Sequence, residues 1–468
     1  MNKSKELMKP FKPFFLFSSS FFSLVVALLM LLNLGCKKSP TEIDKPPIII
    51  TPPSLELSVD GVSCTEAWIK VKKLNDTTFL PISVKINEKE FFRGLLAATD
   101  TVLFVDSLAP NTTYTVKGII LDTLQTTKEL KVTTLPTTSH NFTWQTFEFG
   151  DYNPSALMDV TIIDENNIWA VGKIYLNDSL GNPDPNNYNA VHWDGQKWEP
   201  IKIAGYGGWV CRTVLAFSEN DIWFEGTIKW DGKNYTVHNN GFPLLPNGDG
   251  WLINKMWGTS SNDLYALGNG GNIAYYNGKS WQKIESGTDF YLRDIYGTTG
   301  GDVYSAGLKI TDEKGIILRK TQNGQFEMMV EGDIVSKEEL FHPKLYGSLS
   351  SIWVDENNVI YTGGNLFYQY KNNKWNYVES LPENYLGGNP GTYYRGYIGS
   401  VRGNASNDMI IAGDRNTLKH FNGADWQQLG LPYSASSDIS WSMVAIKGNI
   451  AVAVGNEGYK AKIIMLKR

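Results

Sequence analysis

Recurring carboxylates are the first residues in this 468-residue chain that invite a chemical reading. Asp194, Asp231, Asp263 and Asp302 return at similar places, and glycoside hydrolysis needs two carboxylates across a cleft. Recurrence argues the other way. One position repeated in unit after unit is a fold requirement, and Asp and Asn meet it by bonding turn amides. Residues 164–167 and 355–358 read as the same kind of hairpin turn. Outside the repeats no carboxylate pair can be nominated, so no catalytic residue is assigned. The histidines, His140, His192, His238, His342 and His420, are not at metal-ligand spacing. His192 and His420 each stand beside an aromatic residue and read as packed side chains. Residues 178–186, D-S-L-G-N-P-D-P-N, place oxygen ligands in a flexible loop; Asp178 and Asp184 are where Ca²⁺ would sit, against the alternative of a solvated loop. Neither G-x-x-x-x-G-K-[ST] nor a strand-to-helix G-x-G-x-x-G occurs, so nucleotide phosphate binding has no support. A net charge of −5, a pI near 5.7 and no basic run after the N-terminus exclude a nucleic-acid footprint.

What remains is a set of aromatic and arginine residues in variable loops. Tyr393, Tyr394 and Arg395 form one group; Tyr206, Trp209 and Arg212 another; Phe290, Tyr291 and Arg293 a third, with Trp251, Tyr433 and Trp441 at similar places. Exposed aromatics beside Arg and Asn suit a glycan or peptide ligand. The alternative is that they pack between structural units.

Whether they converge depends on the elements that carry them. Residues 251–287 contain four short β-type runs, 252–257, 264–267, 273–276 and 281–284, separated by Ser-Ser-Asn-Asp, Gly-Asn-Gly-Gly-Asn and Asn-Gly. Asn277-Gly278 predicts a two-residue hairpin turn with φ > 0 at both positions. The unit is a four-stranded antiparallel meander. Its last hairpin recurs at Trp193-Asp194-Gly195, Trp230-Asp231-Gly232, Asn323-Gly324, Asn372-Asn373 and Asn422-Gly423. Its second strand recurs behind Asn167, Asp221, Asp302, Asn358, Asp408 and Asn449. Such spacing suits four-stranded blades around a central axis. The motif W-G-x-S-x-x-D-[VL]-Y-A-[VL]-G…[DN]-G-x-x-W resembles repeats of large secreted bacterial β-propeller proteins. That resemblance implies an architecture and leaves function open. The D-G-x-x-W hairpin lacks the Ser and the spacing of a sialidase Asp-box, and no sialidase mechanism is carried over. The last unit has only three strands, and an unpaired edge is a liability. Residues 144–150, W-Q-T-F-E-F-G, have the form of the fourth strand 281–287 and are expected to close a ring of seven blades. If each fourth strand leads to the next first strand on one face, the aromatic loops rim a single mouth. Arg212 and Arg293, at equivalent positions, would then face the central channel.

Upstream, residues 54–136 alternate as strands, and L-A-P-N-T-T-Y-T-V at 108–116 resembles the L-x-P-x-T-x-Y signature of fibronectin type III domains. The resemblance implies a tyrosine corner at Tyr114, a core tryptophan at Trp68 and a spacer role. Residues 37–53 are a Pro-rich tether. Residues 1–36 form a targeting segment: Lys3, Lys5, Lys9 and Lys12 precede an uncharged apolar run over 14–32. N-L-G-C at 33–36 resembles a bacterial lipobox with Leu one place early, which implies lipidation at Cys36; an uncleaved membrane span is the alternative. Lys37 favours the outer membrane. Cys64 and Cys211 fall in different domains and read as buried thiols, not a disulfide.

The expectation is therefore all-β: a fibronectin type III-like β-sandwich at 54–136, then a seven-bladed β-propeller at 140–468 closed by an N-terminal strand. Functionally it is a lipid-anchored, exported, monomeric protein of the outer membrane or cell surface. It would present a binding or adhesion face for an extracellular or periplasmic glycan or protein, with no cofactor. A glycan-active hydrolase or lyase and an envelope assembly scaffold are the rivals.

Overall fold

The structure is a computed structural model that describes residues 52–75, 79–205, 208–311, 314–332, 345, 347–378, 397–430 and 438–468. Turn chemistry sets its strand boundaries. Asp194 Oδ1 accepts hydrogen bonds from the amides of Gln196 and Lys197 at 2.8 and 2.9 Å, and Asn277 Oδ1 accepts from Lys279 and Ser280 at 3.0 and 3.1 Å. Gly195 and Gly278 follow with φ of 93° and 86°. Because Tyr276 pairs with Trp281, this connection has four residues, and only its glycine is left-handed. The two-residue turn expected at Asn277-Gly278 occurs instead at Asn372-Asn373, where φ is 54° and 59° and Lys371 pairs with Lys374.

Among the described residues, seven four-stranded antiparallel sheets lie between residues 143 and 467. The first runs through Ala156–Asp164, Asn167–Ile174, Tyr188–Trp193 and Trp198–Ile201. The next five start at Val214–Ser218, Ile253–Ser260, Tyr291–Gly297, Leu349–Val354 and Ile398–Ala405. The seventh begins with Ile439–Lys447, Ile450–Glu457 and Lys460–Lys467, and its fourth strand comes from far upstream, Thr143–Phe149 (β8 below). β8 pairs antiparallel with Lys460–Lys467, from Phe149 opposite Ala461 to Thr143 opposite Lys467. Phe147 packs there against Trp193 and Trp198, with ring centroids at 5.8 and 6.3 Å. The first strand of each sheet packs on the first strand of the next, and Ile439–Lys447 packs on Ala156–Asp164. This is β-propeller architecture.

A polar belt links those first strands. Asp159 Oδ2 accepts from the Val214 amide and the Thr213 hydroxyl, each at 3.0 Å, and Thr213 Oγ1 accepts from the Met256 amide at 3.1 Å. Asp294 Oδ2 accepts from the Ile352 amide at 2.9 Å and the Ser351 hydroxyl at 2.7 Å. Ser351 and Ser400 accept in turn from the amides of Val401 and Val444. Five of the sheets thus satisfy an edge amide of the next, a group that would otherwise be buried without a partner.

The upstream module has two sheets. One orders Ser54–Val62 (β1), Ala67–Leu74 (β2) and Asp100–Val105 (β5) as β1-β2-β5; the other orders Leu80–Ile86 (β3), Lys89–Leu96 (β4), Thr113–Ile120 (β6) and Leu130–Thr133 (β7) as β4-β3-β6-β7. Between them lies a core that includes Ile69, Val71, Ile82, Val84, Val116 and Val132. The Tyr114 hydroxyl accepts from the Ala109 amide at 2.8 Å, the corner anticipated from the sequence. Trp68 is a correction. Strand alternation puts Ala67, Ile69 and Val71 inward, so Trp68 points the other way. It joins a propeller cluster with Val359, Tyr361 and Phe367, and its Nε1 donates to Asn372 Oδ1 at 2.9 Å. Asn357 grips both backbone groups of Val62, at 3.2 and 2.8 Å, and Lys371 pairs with Glu66. Cys64 is buried at this junction, donates to the Pro136 carbonyl at 3.2 Å, and has its thiol pushed up to about 11 by burial. The module is docked on the fifth and sixth sheets, not strung from them.

A candidate binding face

The connections between sheets and the middle hairpin of each sheet meet at one end of the ring. Cys211 donates its amide to the Gly172 carbonyl at 3.0 Å, Gly271 to Phe290 at 2.7 Å, and Asp414 to Tyr397 at 2.9 Å. The module docks on the opposite hairpins, among them the turns at Asn357 and Asn372. One end of the propeller is therefore occupied and the other carries the variable loops.

On the variable-loop end, between the second and third sheets, lies a groove of about 720 Å³. Its rim is apolar and exposed: Trp209 at 77%, Leu244 at 60% and Leu252 at 49%. Three such side chains around one groove are more than scattered surface residues. The wall is rigid. Phe242 stacks on Trp251 at 5.1 Å, and Trp251 Nε1 donates to the Pro243 carbonyl at 2.9 Å. Arg212 and Glu225 line the groove too. Glu225 is buried and left-handed, with φ of 47°, a conformation that costs a non-glycine residue about 1–3 kcal/mol and clusters at functional sites. Its carboxylate accepts the Arg212 amide, and its own amide donates to the Thr213 carbonyl at 3.2 Å. A ligand here would meet an apolar rim and polar groups at the floor.

The structure brings Trp209 and Arg212 together and separates them from Tyr291 and Arg293, which lie on the fourth sheet. Tyr393, Tyr394, Arg395, Tyr206, Tyr433 and Cys36 lie outside the described residues. Trp251, Phe290 and Trp441 are buried, so their role is packing and not a shared rim. The belt residues are Thr213 and Asp294, one place after Arg212 and Arg293. The Ca²⁺ reading of the 178–186 loop fails on its own carboxylates. Asp178 Oδ1 accepts the amides of Leu180 and Asn182, each at 2.9 Å, and Asp184 Oδ2 pairs with Lys202 at 2.6 Å, an ammonium where an ion would sit. Among the described residues no group of three His, Cys, Asp or Glu could hold a metal, and no helix is long and apolar enough to cross a membrane. His192 is packed as expected, stacked on Trp169 at 4.4 Å. His420 is packed but also bonded to Asp408 and His140. Leu244, Leu252 and Glu225 escaped the sequence reading. The first two look like ordinary strand or loop residues, and Glu225 has no motif.

No family model matches the chain, and no curated protein matches it. Among solved structures it is similar to YCF48 bound to a D1 peptide, with 15% identity and a TM-score of 0.47 over 71% of this chain and 96% of that one. It is similar to YCF48 from Cyanidioschyzon merolae, with 13% identity and a TM-score of 0.45 over 69% and 98%. The WD40 β-propeller domain of Doa1 is also similar, with 12% identity and a TM-score of 0.43 over 69% and 97%.

Proposed function

We propose that this is an exported protein that binds another protein through the groove bounded by Trp209, Leu244 and Leu252. The observation that carries the reading is that rim: three large apolar side chains exposed together on a rigid wall, at the propeller end opposite the docked module. An extended peptide with one apolar anchor suits it, because the anchor would cover the rim while its backbone meets Arg212 and Glu225. A glycan is the second reading, favoured by the Trp209 indole as a stacking platform beside Asn239 and Thr227. In the same proposal the ring is a complete seven-bladed propeller and the module is of fibronectin type III kind. Cys36 carries lipid, residues 37–53 tether the protein to an outer membrane or cell surface, and it acts as a monomer. Tyr291, Arg293, Tyr393, Tyr394 and Arg395 would extend the binding face.

Catalysis at the ring centre is disfavoured by saturation. Asp159, Lys255, Asp294 and Arg402 cluster there, yet the carboxylate oxygens are already engaged. Asp159 Oδ1 takes the Val160 amide and Lys255 at 2.9 and 2.5 Å, and Asp294 Oδ1 takes the Ile295 amide and Arg402 at 3.0 and 2.7 Å. No accepting position is left for general base work. Peptide and glycan arrays probed with the full-length protein test the reading. Enrichment of peptides with a common apolar anchor is expected; binding to neither array would end it.

A further inference from the structure

Two histidines 280 residues apart in the chain meet nitrogen to nitrogen. His140 lies between β7 and β8, and His420 on the strand Thr417–Phe421. Their Nδ1 atoms are 2.8 Å apart, with the rings edge to face at 84°. Each ring's other nitrogen faces a carboxylate: His140 Nε2 is 2.8 Å from Asp425 Oδ1, and His420 Nε2 is 2.8 Å from Asp408 Oδ1. An ionised carboxylate only accepts, so each Nε2 carries a hydrogen. Two neutral rings so protonated would point lone pairs at each other across the Nδ1–Nδ1 contact. A hydrogen bond there needs one more proton.

We propose that His140 and His420 share one additional proton and that this proton is a pH-operated latch on the seam of the ring. The facing groups come from every element packed around the pair. Asp408 comes from the second strand of the sixth sheet, Asp425 from the last turn of that sheet, and Arg468 from the C-terminus. The two carboxylates balance Arg468 and the shared proton. Burial works to raise the Asp408 carboxyl, but hydrogen bonds from His420, Arg468 and Asn404 outweigh it and hold it at about 2, so Asp408 remains an acceptor well below neutral pH. Burial pushes His420 down, partly opposed by Asp408.

The pair sits where three chain segments meet. Arg468 bonds Asp408 at 2.9 and 2.5 Å and the Ser139 carbonyl at 3.3 Å; Thr138 Oγ1 donates to the Asn407 carbonyl at 2.6 Å; and the Phe142 ring packs on His420 at 5.3 Å. Losing the proton sets lone pair against lone pair and pushes the strand leading into β8 off the sixth sheet. The sign follows from linkage. Burial holds His420 below the ordinary histidine value, about 6.5, so the pair takes up its extra proton only at pH below that value. Because the Nδ1–Nδ1 contact needs that proton, the latch is closed below the pair's own titration and opens as pH rises through it.

The test is pH titration of full-length protein labelled with ¹⁵N-histidine, with amide exchange followed in parallel and corrected for its intrinsic pH dependence. The expected result is loss of one proton from the pair as a unit, together with faster exchange in β8 and Lys460–Lys467. His140→Gln supplies an amide donor to His420 Nδ1 without a proton to lose, so its seam exchange should be independent of pH. Two rings titrating independently with no change at the seam, or an unaltered pH response in H140Q, would overturn the latch. If H140Q does not fold, the wild-type titration alone decides.

Discussion

Asp294 and Arg402, 108 residues apart, form a two-pronged ion pair: Nη2 lies 2.7 Å from Oδ1 and Nη1 2.9 Å from Oδ2. Asp159 and Lys255 form a second buried pair through a single contact, Nζ to Oδ1, at 2.5 Å. In both cases the acid stands on a first strand two sheets before the cation, so each pair spans three sheets. The acids also hold the belt amides. Their charge therefore orders backbone in the neighbouring sheets, and the cation makes that charge tolerable in a buried place.

Arg402→Ala should cost about 3–5 kcal/mol, the range for stranding one member of a buried pair, measured by urea unfolding. Burial works to raise the Asp294 carboxyl, but Arg402, with Lys255 and the Ile352 amide, outweighs it and holds the group below the usual carboxylate range. Its stabilisation is thus complete above the ordinary aspartate value, about 3.9, and is lost as pH falls through the lower folded one. R402A should move acid unfolding to higher pH. A cost under about 1 kcal/mol would show the pair to be as weak as an exposed one.

Trp68→Ala should uncouple the module from the propeller while leaving the sandwich folded. Removing a buried tryptophan costs about 3–5 kcal/mol, and here the loss falls on the junction. Calorimetry should resolve two transitions where the wild type shows one. Loss of the module's own transition would mean that Trp68 supports the sandwich.

Lys419 is buried, and burial pushes its ammonium down to about 7. A lysine depressed in the folded state destabilises while it is charged in both states, and that penalty fades as pH rises from the folded value to the ordinary one, about 10.4. Lys419→Met should therefore stabilise most below pH 7 and gain little near pH 10. A gain that does not vary with pH would point to packing, not charge.

How far the sequence revealed this molecule differs from residue to residue. The meander at 251–287 was readable almost strand for strand, because Gly278 and its neighbours fix a turn and apolar residues recur in each short run between the turns. β8 was readable from a missing partner: three strands at the C-terminus need a fourth. Trp68 misled, since a tryptophan in a strand suggests a core until the parity of Ala67, Ile69 and Val71 is weighed. The belt was missed for a related reason. Asp159-Val160, Thr213-Val214, Lys255-Met256, Asp294-Ile295, Ser351-Ile352 and Ser400-Val401 share a position but not a residue type, so no repeat motif marks them. His140 and Asp425 carry no signal that they will meet His420, because that contact is made only once the ring closes.

The claim that the Trp209 groove binds a protein partner is tested most directly by calorimetric titration of the best array peptide into full-length wild type and Trp209→Ala. Because Trp209 is mostly exposed, its loss should leave the melting temperature within about 1 °C of wild type, as surface substitutions do. Peptide affinity should fall at least about tenfold, the effect of losing some 1.4 kcal/mol at a central anchor. Unchanged affinity in a stably folded Trp209→Ala protein would contradict the account.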